Sequence, residues 1–228
     1  MTGQTLGDIA ACVFDVYGTL VDFESGVREV RDKLGDKADA LSRLWREKQL
    51  QYAWLGSLMD HHEDFWHLTG HALDYAMEAL DMESPPIRAE LMQLYLQLKA
   101  YPEVPETLRR VKQARLRTAI LSNGSPTMLA AVVNSAGLHE HIDTVLSVEE
   151  AGIYKPHANV YRLVPERMAV EPKNVCFLSA NGWDAHAAAH FGFKVLWVNR
   201  GGLPRERLPG SLEGEIGSLA ELPAWLGL

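Results

Sequence analysis

Only two cysteines, Cys12 and Cys176, occur in 228 residues, which excludes a disulfide framework. Each lies inside an apolar run, and reduced, inert thiols are expected. Long hydrophobic runs are also missing. None approaches the roughly 18 residues that a membrane span needs, so a membrane is not an expected partner. The opening Met1-Thr2-Gly3-Gln4 lacks the charged and apolar regions of a signal peptide, and a cytoplasmic location is expected. Basic charge is scarce: 22 Lys and Arg face 30 Asp and Glu, for a net charge of −8. That average field repels nucleic acid, and an anionic substrate needs cations placed locally against it. No internal repeat or low-complexity segment is present. What remains is 47% hydrophobic and 23% charged, the balance of a soluble globular chain. Its length suits one large domain, or a core with a modest insert, able to bury a core without staples.

Short apolar runs ending in a polar or acidic residue recur along the chain. Ile9–Phe14 ends at Asp15, Thr118–Leu121 at Ser122-Asn123-Gly124, and Thr144–Leu146 at Ser147. Val175–Leu178 ends at Ser179 and Val195–Val198 at Asn199. Each is too short for an isolated helix and reads as a buried strand. Helical stretches separate them: Pro105–Ala114, Pro126–Ala136, Asn159–Met168 and Asp184–Phe191. Strands this uniformly apolar, alternating with helices, predict an α/β fold with a parallel sheet covered on both faces. Ligands of such sheets bind beyond the carboxyl ends of the strands, so the residues that end the runs are the candidates for function.

Residues 22–100 break the alternation. They read as helices over Asp39–Leu58, Asp64–Leu80 and Pro86–Lys99, with no strand. In the first, Leu41, Leu44, Trp45, Tyr52 and Leu55 are expected on one face, with Arg46, Leu50 and Ala53 as a second stripe. The segment is expected to be an inserted helical cap. Tyr101-Pro102-Glu103-Val104-Pro105 is its proline-stiffened return hinge, and residues 1–21 and 101–228 form the core.

Four polar clusters stand at four strand ends. They are Asp15-Val16-Tyr17-Gly18-Thr19, Ser122-Asn123-Gly124, Lys155-Pro156 and Ser179-Ala180-Asn181-Gly182-Trp183-Asp184. Taken alone, the first is an ordinary turn-capping aspartate. Together, in this order and with a helical insert after the first, they resemble the haloacid dehalogenase superfamily over the whole chain. That resemblance implies a Rossmann-like parallel sheet flanked by helices.

Two departures bear on the reaction. Phosphatases of the superfamily need a second acid two residues after the nucleophile, but Tyr17 stands there with an ordinary pKa of about 10. They also need acids in the last motif for magnesium, and Ser179-Ala180-Asn181 supplies none. The strings Leu44-Trp45-Arg46-Glu47-Lys48-Gln49-Leu50, Tyr52-Ala53-Trp54-Leu55, Leu121–Pro126 and Tyr154-Lys155-Pro156 instead resemble the (S)-2-haloacid dehalogenase branch.

By that resemblance Asp15 is the nucleophile that displaces halide and forms an ester, with Thr19 and Lys155 as its polar partners. Arg46 and Asn181 are expected to receive the halide, in a pocket shaped by Tyr17, Phe65 and Trp183. Ser122 and the backbone around Tyr17 and Asn123 are expected to hold the substrate carboxylate. Asp184 is the expected base or water-orienting group, positioned with Asn181 and Ser179, and Tyr161 supports the lysine. One displacement inverts configuration, from an (S)-2-haloacid to an (R)-2-hydroxyacid. No cofactor or metal is expected, the partner is a small-molecule haloacid, and a homodimer is expected from the relatives. Glu47, an acid beside Arg46, and Ala180, where relatives often carry a hydroxyl, are departures within the branch.

The pairs His67/His71 and His186/His190 have helical metal-ligand spacing but no third ligand in sequence. Arg109, Arg110, Arg115 and Arg117 read as solvated surface, and Gly201–Pro204 as a loop. Two other readings compete, an atypical superfamily phosphatase or phosphotransferase and a catalytically idle binding protein of the same fold. Chelation separates the first. Halide release from (S)-2-chloropropionate is expected to persist after EDTA treatment, and loss of turnover with restoration by magnesium is the opposite outcome.

Overall fold

The computed structural model describes residues 5–23, 30–82 and 84–228. Met1-Thr2-Gly3-Gln4, read above for a leader, lies outside them, as do six residues and Glu83 of the expected cap. Among the described residues the sheet has six strands: β1 (Ala11–Phe14), β2 (Arg117–Ser122), β3 (Thr144–Ser147), β4 (Val175–Ser179), β5 (Lys194–Val198) and β6 (Gly214–Ile216). All pair in parallel, in the order β3-β2-β1-β4-β5-β6. The strand order reverses between β1 and β4, the switch point at which such sheets open a crevice. β6 was not expected from sequence, because its Gly214-Glu215-Ile216 is too short to show a pattern.

The helices are α1 (Arg31–Leu34), α2 (Ala38–Leu58), α3 (Phe65–Ala79), α4 (Pro85–Leu94), α5 (Val104–Gln113), α6 (Pro126–Ser135), α7 (Ala158–Met168), α8 (Gly182–Phe191) and α9 (Leu222–Trp225). The sheet is buried between helices, and every residue of β1 and β4 is buried. Cys12 and Cys176 are register neighbours in those two strands and both are free thiols. The hydrogen bond with Cys12, together with burial, pushes the Cys176 thiol well above its ordinary pKa, away from thiolate chemistry.

The chain leaves the sheet through a short stem. Val21 bridges Ala100 antiparallel, the Asp22 amide donates to the Lys99 carbonyl (3.0 Å), and the Tyr101 amide donates to the Leu20 carbonyl (3.0 Å). Between these points lie α1 to α4. Asp64 caps α3, its carboxylate accepting from the Trp66 amide at 2.8 Å. α4 stops at Leu94 rather than running to Lys99, and tight turns follow in which Leu96 and Gln97 bond three residues back.

The buried line of α2 differs from the expected one. Ala38, Leu41, Trp45, Gln49 and Ala53 are buried, whereas Leu55 is 46% exposed. Leu41 and Trp45 of the expected face and Ala53 of the second stripe do lie inward, but Leu55 does not. Packing against α3 also turns polar Gln49 inward, which neither stripe included. Leu41→Ala is therefore expected to cost about 3 kcal/mol, and Leu55→Ala less than about 1 kcal/mol. Urea unfolding of both variants checks this, and equal losses would restore the expected face.

Candidate active site

β1 lies between β2 and β4, so the residues following these three strands converge. The Asp15 amide donates to the Leu178 carbonyl at 2.9 Å, which anchors the carboxylate at the sheet's edge. Gly18 then turns the chain at φ +83°, a conformation that L side chains rarely adopt. The turn brings Thr19 back over its own strand end. Thr19 donates to Asp15 Oδ2 (3.2 Å), and its hydroxyl accepts from the Ala180 amide (2.8 Å). The Asn181 side-chain amide donates to the same Oδ2 at 3.0 Å.

Lys155 is almost wholly buried and stands between two carboxylates. Its ammonium donates to Asp15 Oδ1 (3.2 Å) and to Asp184 Oδ2 (2.9 Å). The Tyr161 hydroxyl donates to the other Asp184 oxygen at 2.7 Å. Burial alone draws the Lys155 pKa down, but Asp15 and Asp184 outweigh it and hold the ammonium above its ordinary value. Burial raises the Asp184 pKa, which Lys155 and Tyr161 only partly offset. Burial, reinforced by Asp184, raises Tyr161 well above its ordinary value and keeps it a donor. The ammonium already stands between the two acids, so the pair offers no open oxygen cluster to a hard cation. Among the described residues no three His, Cys, Asp or Glu side chains converge as a metal site would require.

Arg46 reaches across from α2, its Nη2 donating to Asn181 Oδ1 at 3.4 Å. Asp15, Tyr17, Arg46, Gln49, Leu50, Phe65, Ser122, Asn123, Lys155, Asn181 and Trp183 line a small, partly open cavity of about 20 Å³, room for about one water. A cleft of about 630 Å³ adjoins it and shares Tyr17, Arg46 and Asn181. Glu47 and Ala180 face this larger cleft and take no part in the wall of the smaller cavity. The Tyr17 hydroxyl is buried without a hydrogen-bond partner among the described residues. Burial raises its pKa, so it keeps its proton for a ligand acceptor. Gly124 makes room for it, since a Cβ there would lie 3.2 Å from that hydroxyl.

Residues 9–192 match the haloacid dehalogenase-like hydrolase family. The chain belongs to that family. It is 42% identical to (S)-2-haloacid dehalogenase 4A of Burkholderia cepacia, over 94% of this chain and 93% of that protein. The crystal structure of a dehalogenase with an intermediate complex superposes with a TM-score of 0.95 at 40% identity, covering 97% of this chain and 98% of that one. The L-2-haloacid dehalogenase of Xanthobacter autotrophicus, solved with chloropropionic acid covalently bound, gives 0.87 at 35% identity, over 94% and 97%.

Relative to this family's expected site, the fold brings Asp15, Tyr17, Arg46, Phe65, Ser122, Asn123, Lys155, Asn181 and Trp183 onto one cavity. Thr19, Ser179, Tyr161 and Asp184 stand behind its wall. Ser179 accepts from the Asn181 amide at 3.2 Å, and Ser122 from the Gly124 amide at 3.1 Å. Asn123 accepts from the Lys155 amide at 3.1 Å, tying the second motif to the third. Phe65 packs on Tyr154, and Trp183 meets Trp54 edge-on. Sequence reasoning assigned no role to Gln49, Thr69 or Tyr95, which form a buried polar group beside Arg46. The available signal was a glutamine one turn after the arginine in an otherwise apolar line.

Removing the ammonium leaves two buried carboxylates facing each other. Lys155→Met is expected to cost about 3 kcal/mol near neutral pH, as for other broken buried pairs. Burial already raises the Asp184 pKa, and without the ammonium that partly offsets it the folded form binds a proton still more tightly than the unfolded one. The penalty is thus full above the folded pKa of Asp184 and shrinks as pH falls toward about 5. Denaturation at the two pH values measures it, and a pH-independent loss contradicts the charge argument.

Proposed function

We propose that this protein hydrolyses short (S)-2-haloalkanoic acids to (R)-2-hydroxyalkanoic acids and halide, through an ester on Asp15. The observation that carries the reading is the Asp15 carboxylate, buried from water with the buried Lys155 ammonium 3.2 Å from its Oδ1. Beside it stands a guanidinium that reaches the same cavity. Residues 22–100 act as a cap over a core of residues 1–21 and 101–228. The 20 Å³ cavity beside Asp15 is the reaction site, and the adjoining cleft bordered by Arg46 is the approach for an anion.

An Asp15 oxygen attacks the halogen-bearing carbon from behind. The carbon–halogen bond breaks with its electron pair, and halide leaves toward Arg46 and Asn181. Water would blunt so weak a nucleophile, and Phe65, Leu50 and Trp183 keep the cavity dry. Ser122, the backbone of Tyr17 and Asn123, and the free Tyr17 hydroxyl hold the substrate carboxylate. Once esterified, Asp15 has lost its charge and Lys155 has one carboxylate partner left.

That partner, Asp184, has a proton affinity already raised by burial and takes a proton from the incoming water. The water oxygen bonds to the Asp15 carbonyl carbon, and the ester bond to the product oxygen breaks. The product oxygen takes the proton that Asp184 received, and the hydroxyacid leaves. The proton left on the regenerated Asp15 carboxyl passes to solvent, which returns both acids to their starting charge. Thr19 and Ser179 fix the turns that carry Asp15 and Asn181, and Tyr161 orients Asp184.

The proposal includes a cytoplasmic homodimer. Leu55, Leu58 and Met59 form an exposed apolar end of α2 that a second copy would cover.

A single turnover of (S)-2-chloropropionate in oxygen-labelled water tests the chemistry. Label is expected in Asp15 by peptide mass spectrometry, with chloride release lost to background in Asp15→Asn. Label entering the first-turnover product while Asp15 stays unlabelled would make water the attacking group.

A further inference from the structure

Gln49 lies fully buried in α2 one turn beyond Arg46, and no step of the proposed reaction uses it. A buried primary amide is costly unless its donors and acceptor are met, and its partners also decide which way it faces. Its Nε2 donates to Thr69 Oγ1 at 2.7 Å, while the Thr69 hydroxyl donates to the Phe65 carbonyl at 2.6 Å. That hydroxyl has spent its one proton and can only accept from Gln49. The amide is thereby locked with its oxygen toward the cavity. There Oε1 accepts from the Tyr95 hydroxyl (3.3 Å) and from Arg46 Nη1 (3.4 Å). Tyr95 is immobilised in turn by the rings of Tyr17, Phe23 and Trp45, at 5.5, 4.7 and 5.0 Å. Trp45 donates to the Thr69 carbonyl at 2.9 Å and closes the frame.

The Arg46 guanidinium is thus held from both sides by neutral amide oxygens. Gln49 belongs to α2 and Asn181 follows β4, and each contact is 3.4 Å. Those distances exceed the usual range for N–H···O bonds, so they aim the guanidinium without saturating it. A carboxylate at either position would form a charge-assisted pair and use up the positive charge.

We propose that Gln49 is a positioning residue that aims Arg46 at the departing halide while leaving its charge available, and thereby sets the discrimination between leaving groups. This rests on the halide-displacement reading above. Chloride leaves less readily than bromide, so its departure draws more on a correctly aimed cation.

The test compares kcat/KM for (S)-2-chloropropionate and (S)-2-bromopropionate, which contains displacement but not the later ester hydrolysis. Gln49→Met is expected to lower the chloride value about tenfold and the bromide value only about twofold, so that the chloride-to-bromide ratio falls about fivefold. Gln49→Glu, of equal size, is expected to lower the ratio as well, because its carboxylate neutralises the guanidinium. Thr69→Val keeps the shape but frees the amide to turn, so it is expected to shift the ratio in the same direction. Thr69→Ser retains the hydroxyl and is expected to restore it, and this second pair serves if the Gln49 variants do not fold. Equal loss with both halides across these variants, as lost packing alone would give, overturns the proposal. A parent protein that releases neither halide overturns the activity reading first and this inference with it.

Discussion

The structure depends on a lysine ammonium held out of water between two carboxylates. Transferring Lys155 into the protein costs several kcal/mol, and Asp15 and Asp184 can meet that cost only if both stay ionised and close. Each element around the site serves that condition. The strand-end turn with Gly18 and Thr19 fixes Asp15. Tyr161 fixes Asp184, and Asn123 fixes the lysine's own backbone. The triad carries a net negative charge inside the fold, so its oxygens are further met by neutral donors from Thr19, Asn181 and Tyr161. A carboxylate held this way is buried from water beside a cation, the combination that displacement at carbon requires.

The second cation, Arg46, is treated differently. It comes from α2 rather than a strand end and, among the described residues, its hydrogen-bond partners are neutral oxygens at long distances. Lys155 is committed to two carboxylates and is structural as well as chemical, while Arg46 keeps capacity for an anion. A chain of net charge −8 therefore concentrates its useful positive charge at two points of opposite character. The segment between α2 and α3 also meets the stretch that follows β3. The His62 ring lies 2.8 Å from Glu149, and the Tyr154 hydroxyl donates to the Glu63 carbonyl. Tyr154 immediately precedes Lys155, so this segment is seated against the one that carries the lysine.

Much of this was legible in the chain. Uninterrupted apolar runs such as Ala11–Phe14 and Val175–Leu178 announce strands buried on both faces, and the polar residues that end them mark the crevice. Asp15 and Ser122 stand out this way, because strand ends are local features, whereas Lys155 and Asp184 lie beyond the strand ends and were assigned by family resemblance. The inward face of α2 was legible only in part. Apolar periodicity finds Leu41, Trp45 and Ala53, but it also points to Leu55 and gives no sign that Gln49 turns inward. The division between cavity wall and supporting layer was also hidden, with Asp184 and Thr19 set behind Lys155 and Asp15.

The linear order of residues by itself determined five of the six described strands and the chemical types that follow them, since these depend on short-range hydrophobic period and turn geometry. Only the tertiary structure decided the rotation of α2, the direction of the Gln49 amide and the depth of each acid. Those depend on contacts between segments far apart in the chain, such as Arg46 with Asn181 and Gln49 with Thr69 and Tyr95. A buried polar group settles where all its partners can be satisfied at once, and a local pattern holds no record of that balance.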